Sequence, residues 1–299
     1  MKPSTRTLMR PLLFLALVTA AHAARLPDFT AALEHAKAEH TPVAVYFHGS
    51  DWNKPGEKLL AVWNDPRFES GLDPAMPLVA IDRKEAPSPA DEELAKRNAA
   101  CDPPLRSLPA VALFDSDGRL VASLAGTPEI EKAGGLPRAL AGMLAVLKDR
   151  DLAWERARKS SGLQRANLLG SGLDRMNLGL GPKNVYQTVL EEMKKADPKD
   201  QSGYLAKYTF SSRALLDMVM KRAEAGEQAE AEKELASLAR QPRLDKKQLQ
   251  ELHAARFALY QRWPDKKDQS RRALEDMRRA DPKSDLGRAA NRYADQLEH

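Results

Sequence analysis

Cysteine is all but missing: Cys101 is the one thiol in 299 residues, so no disulfide can close within the chain. That thiol either packs as a small hydrophobe or pairs with a thiol on another molecule. Aromatic residues are scarce at 6% while charged residues reach 30%, a balance that favours exposed helices over a large aromatic core. Long apolar runs are lacking too. The single one, Pro11 to Ala20, is well short of the ~20 residues that a bilayer core requires. It follows Lys2, Arg6 and Arg10 and precedes Ala21-His22-Ala23, the small-x-small pattern that a signal peptidase reads. Residues 1–23 are therefore expected to be a signal peptide cleaved after Ala23, the alternative being a short uncleaved anchor. The mature chain is expected to be periplasmic or secreted, with no membrane span. Loss of three basic residues takes the net charge from +5 to +2, too small an excess to point to nucleic acid.

Past the leader the chain divides by charge. Residues 24–150 hold 15 Lys/Arg against 19 Asp/Glu, and residues 151–299 hold 29 against 23, an opposition of sign that supports two domains. In the first, Asp28 precedes Phe29, Ala32, Leu33 and Ala36 at helical spacing and is placed to cap that helix. Val43 to Phe47 is apolar nearly throughout, as a strand is when helices cover both faces of its sheet. After the break at Gly49-Ser50-Asp51, Pro55 stands in the first turn of a helix ending near Trp63, where its missing N–H costs nothing. Leu78 to Ile81 reads as a second buried strand, Asp91 to Ala100 as a helix and Ser107 to Phe114 as a third strand. Asp117-Gly118 signals a type I′ hairpin turn into a strand at Val121 to Leu124, and Pro137 to Leu147 closes the order with a helix.

The run VAVYFHGSDWNKPGEKLL, Val43 to Leu60, resembles the active-site segment of the thioredoxin superfamily. Ser107 to Phe114 resembles the strand that opens on that superfamily's cis-proline. With GSDW, the N-D-P-x-F segment at Asn64 to Phe68 and Asp82 closing a strand, the chain is similar to exported thioredoxin-like proteins of bacteria over about Leu26 to Leu147. The resemblance implies an α/β thioredoxin-like domain with a central mixed sheet flanked by helices. It implies a cis Leu108–Pro109 bond, and a peptide-docking surface at Trp52, Asn53, Leu108 and Pro109. There is one departure. Redox-active members carry W-C-x-x-C, whereas Trp52 here is followed by Asn53, Lys54, Pro55 and Gly56. Thiol exchange needs a thiolate at the helix N-terminus and a second cysteine to resolve the mixed disulfide; Asn53 and Gly56 supply neither. Main-chain pairing with an extended peptide needs no cysteine. Cys101 remains the candidate reactive thiol, away from the family position. His48, Ser50 and Asp51 are too close along the chain to set a base and its orienter around one hydroxyl. His35 and His40, five apart, fall on different faces of a helix, so no metal and no cofactor is expected.

Beyond Lys148 strand formers vanish and helix formers dominate, so residues 151–299 read as an all-α helical-hairpin domain. Leu190 to Asp200 (LEEMKKADPKD) and Leu274 to Ser284 (LEDMRRADPKS) agree at seven of eleven positions, an internal repeat. Pro198 and Pro282 cannot continue the helix before them and are expected in the first turn of the next, with Asp197 and Asp281 as caps. Pro242 lies 44 and 40 residues from the other two. The Gly226, Ala231 and Pro242 arrangement resembles tetratricopeptide repeats, in a unit longer than their ~34 residues. Stacked hairpins leave a concave face, and Tyr204, Tyr208, Phe257 and Tyr260 either line it or fill the core.

The expected function is that of an exported, redox-inactive thioredoxin-like protein that binds a protein or extended-peptide partner. The alternatives are a thiol-disulfide oxidoreductase using Cys101 with a partner thiol, and an envelope scaffold without peptide binding. N-terminal sequencing of the chain recovered from a periplasmic extract is expected to read Ala24-Arg25-Leu26; a start at Met1 favours the uncleaved anchor.

Overall fold

Six consecutive buried residues make β1 (Val43–His48) the spine of a mixed sheet. The computed structural model describes residues 24–70, 72, 76–105, 107–125, 134–176 and 186–298, so the leader expected at 1–23 lies outside the described residues. β2 (Leu78–Asp82) pairs with β1 in parallel, β3 (Ala110–Phe114) pairs antiparallel on its other side, and β4 (Leu120–Ala125) lies antiparallel to β3, giving the order β2-β1-β3-β4. The first described residues extend the ladder beyond β2: Leu26 donates to the Leu78 carbonyl at 3.0 Å and Leu78 to that of Ala24 at 2.9 Å.

Alternation along the strands sends side chains to two faces, each covered. Ala44, Tyr46, Val111, Leu113 and Val121 pack with Leu59 and Trp63 of α2 (Lys54–Trp63) and with Leu136 and Leu140 of α5 (Gly135–Arg158). Val45, Phe47, Ala110, Ala112 and Phe114 pack with Phe29, Ala32 and Ala36 of α1 (Phe29–Glu39) and with Cys101. Two covered faces are why β1 carries no polar alternation. Asp28 caps α1 as expected, its carboxylate accepting from the Ala31 N–H at 2.9 Å. Between the strands stand α3 (Pro66–Ser70) and α4 (Pro89–Arg97), and α4 buries none of its side chains.

The hairpin differs from the type I′ expectation. Only Gly118 has positive φ, at 79°. Asp115 to Arg119 form the connection, and the Asp115 carboxylate accepts the N–H groups of Asp117 and Arg119 at 3.1 and 2.9 Å. The side chain holds the turn, so Asp117 need not enter the left-handed region.

Helix α5 differs as well: it runs past Leu147 to Arg158, and the division expected between residues 150 and 151 falls inside it. The core crosses with it, Trp154, Leu169, Leu173, Tyr186 and Met193 joining the cluster of Tyr46 and Val121. Arg150, nearly fully buried, contacts Asp115 at 2.8 Å, and the Arg119 guanidinium lies over the rings of Trp154 and Tyr186 at 5.8 and 5.7 Å. The Tyr186 hydroxyl donates to the Leu120 carbonyl of β4 at 2.7 Å. In α6 (Gly162–Met176) two glycines make room for aromatics. A Cβ at Gly170 would stand 2.2 Å from the Tyr204 ring, and one at Gly172 2.2 Å from Trp154 Nε1.

The remaining described elements are helical: α7 (Gln187–Ala196), α8 (Tyr204–Thr209), α9 (Ser212–Glu224), α10 (Gln228–Ala239), α11 (Lys246–Tyr260), α12 (Lys267–Ala280) and α13 (Asp285–Glu298), with a 3-10 turn at Pro264–Lys266. The proline corners are built differently from the expectation. Pro198 and Pro282 lie in the connections, ahead of α8 and α13, not in a first helical turn. Asp197 ends α7 and accepts from the Gln201 and Ser202 N–H groups, and Asp281 ends α12 and accepts from Lys283. The cap of α13 is Ser284, whose Oγ accepts from Gly287 at 3.0 Å. The break at Gly226 stands as read, with φ at 73°, and Ala231 is buried. Tyr204 and Tyr260 are buried; Tyr208, half-buried, stacks on Tyr204, and Phe257, also half-buried, meets Tyr293 with its ring tilted by 48°. α11 packs against α9, α10, α12 and α13. From it Gln248 donates to the Lys207 carbonyl, and Gln250 to those of Met277 and Asp281.

Removing one partner of a buried ion pair strands the other charge. Asp115→Ala is therefore expected to cost about 3–5 kcal/mol in urea unfolding, and adding Arg150→Met to recover part of that loss.

Candidate functional site

The loop from β1 to α2 and the segment leading into β3 meet at the carboxyl end of β1. Four consecutive side chains of the loop are each tied down. Ser50 donates from its N–H and its Oγ to the two carboxylate oxygens of Asp82, at 2.8 and 2.6 Å. Asp51 accepts the N–H groups of Glu85 and Ala86 at 3.2 and 3.0 Å, and these backbone donors, Ala86 foremost, hold its carboxyl below the usual range. Trp52 donates from Nε1 to the Arg83 carbonyl at 2.9 Å. Its ring packs against Gly49, where a Cβ would come within 2.2 Å of that nitrogen, and the residue is 42% exposed.

Asn53 is the fourth. It caps α2, Oδ1 accepting from the Gly56 N–H at 2.8 Å, and its Nδ2 donates to the Leu108 carbonyl at 3.0 Å. The Leu108–Pro109 peptide bond is cis, as the resemblance implied. Pro109 is buried and Leu108 half-buried, and the Leu108 N–H meets no acceptor among the described residues. The four residues of the expected docking surface are thus brought together through one amide. Sequence reading missed the ties of Ser50 and Asp51 to residues 82–86. It also missed the capping role of Asn53, although an Asn two residues before a helix-starting proline is such a signal.

Beneath the loop lies His48, only 5% exposed and stacked on Tyr46 at 5.6 Å. Its Nδ1 has no hydrogen-bond partner among the described residues and stands 3.7 Å from Asp82. Burial lowers its pKa, opposed by Asp82 and reinforced by Lys84. The Ser50 hydroxyl is turned to Asp82 and not to the imidazole, so no nucleophile and base are paired here.

Cys101 stands apart from this constellation. It is 3% exposed, and burial pushes its thiol up to about 12. It lines a pocket of about 440 Å³ with Ile81, Leu94 and Asn98, between β2 and α4. Among the described residues no group of three His, Cys, Asp or Glu is placed to hold a metal, and no helix is long and apolar enough to cross a membrane.

Fold and site together define an α/β domain with a mixed four-stranded sheet and a thiol-free loop at the end of its central strand, continued by an α-helical region. No family model matches the chain, and no curated protein matches it. Among solved structures, a DsbH oxidoreductase is similar over 48% of this chain and 95% of its own length, at 19% identity and a TM-score of 0.33, a likeness too slight to carry an argument about activity.

Asn53→Asp keeps the cap but sets a carboxylate oxygen against the Leu108 carbonyl. It is expected to cost about 1–3 kcal/mol at neutral pH, shrinking as acid protonates the new carboxyl and restores a donor, as read from urea midpoints. His48 makes a second prediction. Its folded pKa lies below the unfolded 6.5, so the unfolded chain binds the proton more readily. Stability is full above about 6.5 and falls as the pH drops below it. His253, lowered by burial, has the same sign. The urea midpoint is expected to be lower at pH 5 than at pH 7.5, with His48→Asn removing part of the difference.

Proposed function

We propose that the chain is an exported, redox-inactive thioredoxin-like protein that docks an extended peptide or an unfolded protein segment across Trp52 and Leu108. The observation that carries this reading is the pairing of an exposed indole, held by its bond to the Arg83 carbonyl, with a Leu108 N–H that meets no acceptor among the described residues, joined through Asn53. A peptide strand laid along Leu108 finds that donor and the second lone pair of the carbonyl that Asn53 already engages. Trp52 adds apolar area, and because its ring is held before any partner arrives, little freedom is lost on binding.

The redox-inactive part rests on chemistry. Asn53 and Gly56 stand where thiols act in redox-active members, and the one thiol present is buried and kept protonated. That burial disfavours an oxidoreductase working through Cys101. Export rests on the pattern of residues 1–23. The repeat at Leu190 and Leu274 supports a tetratricopeptide-like reading of the helical region.

Fluorescence polarisation with labelled S-carboxymethylated insulin B chain, an extended peptide without free thiols, tests the docking. Saturable binding is expected, weakened about tenfold or more by Trp52→Ala and unchanged by Cys101→Ser. Absence of saturable binding sinks the reading. Insulin reduction by dithiothreitol is expected to proceed no faster with the protein than without it.

A further inference from the structure

Helix α2 leaves the loop with one side turned to the sheet and the other to solvent. Gly56, Leu59 and Trp63 are its buried residues. A groove of about 360 Å³ on its outer flank is lined by Lys54, Pro55, Lys58, Leu59 and Val62. Pro55, Leu59 and Val62 follow one another at spacings of four and three, a single stripe down the helix. Leu59 is its floor at 5% exposure and Val62 its far wall at 42%. Two exposed large hydrophobics, Trp52 and Val62, thus bracket α2. The groove begins at Lys54, the residue after Asn53, whose amide meets the Leu108 carbonyl.

Lysine supplies every charge in that lining. Lys54 stands 3.5 Å from Glu57, both side chains well exposed, a contact that holds little energy in water. Lys58 has no carboxylate at ion-pair distance among the described residues. An apolar floor with two lysines one helical turn apart, Lys54 held only by an exposed contact to Glu57 and Lys58 with no ion-pair partner among the described residues, favours a ligand with apolar side chains flanked by carboxylates, and disfavours a basic one.

We infer that this groove selects the partner: the docked peptide carries an acidic, apolar segment seated along Pro55, Leu59 and Val62 with its carboxylates at Lys54 and Lys58. The inference rests on the peptide-docking reading and names the class of peptide that the site takes. Exposed charges act at a distance that salt shortens, so the preference is an ionic-strength-dependent one.

Three labelled twelve-residue peptides with the same apolar residues, bearing four Glu, four Gln or four Lys, are titrated against the mature chain. The acidic peptide is expected to bind about tenfold or more tighter than the basic one at low salt, with the gap narrowing at high salt. Lys54→Glu with Lys58→Glu is expected to reverse the order while Gln-peptide affinity stays within about twofold and circular dichroism stays unchanged. Val62→Asp weakens the acidic peptide. Equal binding of all three peptides, or an acid preference that survives the double variant, overturns the groove assignment and leaves docking at Trp52 standing. If none of the three binds, both readings fall.

Discussion

Four adjacent side chains, Ser50 to Asn53, stitch one loop to the exit of one strand and the entry of another, and the arrangement of the whole site depends on that stitching. Three reach toward the chain after β2, at Asp82, Arg83 and residues 85–86; the fourth reaches the entry of β3 at Leu108. A loop of this kind has its backbone groups at the surface and would wander if left to solvent. Here carboxylate, hydroxyl, indole and amide each fix one residue, so the start of α2 and the segment before Pro109 are held in register. The amide does double duty because it carries its donor and its acceptor on two different atoms, Nδ2 facing Leu108 and Oδ1 facing the start of α2. A thiol in its place would cap the helix weakly and leave the Leu108 carbonyl unmet.

A second set of ties joins the sheet to the helices after it. Asp115 holds its own hairpin turn with one oxygen and meets Arg119 and Arg150 with the other. Arg119 stacks against Trp154 and Tyr186, and Tyr186 reaches back to β4. Glycine inside a helix normally costs stability, roughly 0.5–1 kcal/mol relative to alanine. Gly170 and Gly172 are retained where aromatic rings occupy the space that a methyl would need. The helices from α5 to α7 therefore complete the core of the α/β part.

Much of the α/β part was legible in the sequence because burial leaves a regular trace. Strands covered on both faces appear as apolar runs, Asp28 announces its helix, and the element order from α1 to the hairpin follows from those signals. What was not legible depends on contacts between distant residues. The turn at Asp117-Gly118 is shaped by the Asp115 side chain, which relieves Asp117 of positive φ. Pro198 and Pro282 end helices as proline must, yet the next helices start only where Gly203 and Ser284 allow. Helix α5 outruns its expected end because Arg150 and Trp154, polar or bulky in a local window, are buried by partners far along the chain. At the site, Trp52, Asn53, Leu108 and Pro109, expected together from the resemblance, lie together in the structure. The hydrogen bonds that join them were not legible, since spacing says nothing about which amide faces which carbonyl.

Cys101 lies in the packed layer between the sheet and α1, beside Phe29 and Val45. Its shelter governs how copies of the chain behave when crowded together under oxidants. Two molecules that collide have no thiol at their surfaces with which to become covalently stapled, so encounters between them stay free of disulfide cross-links.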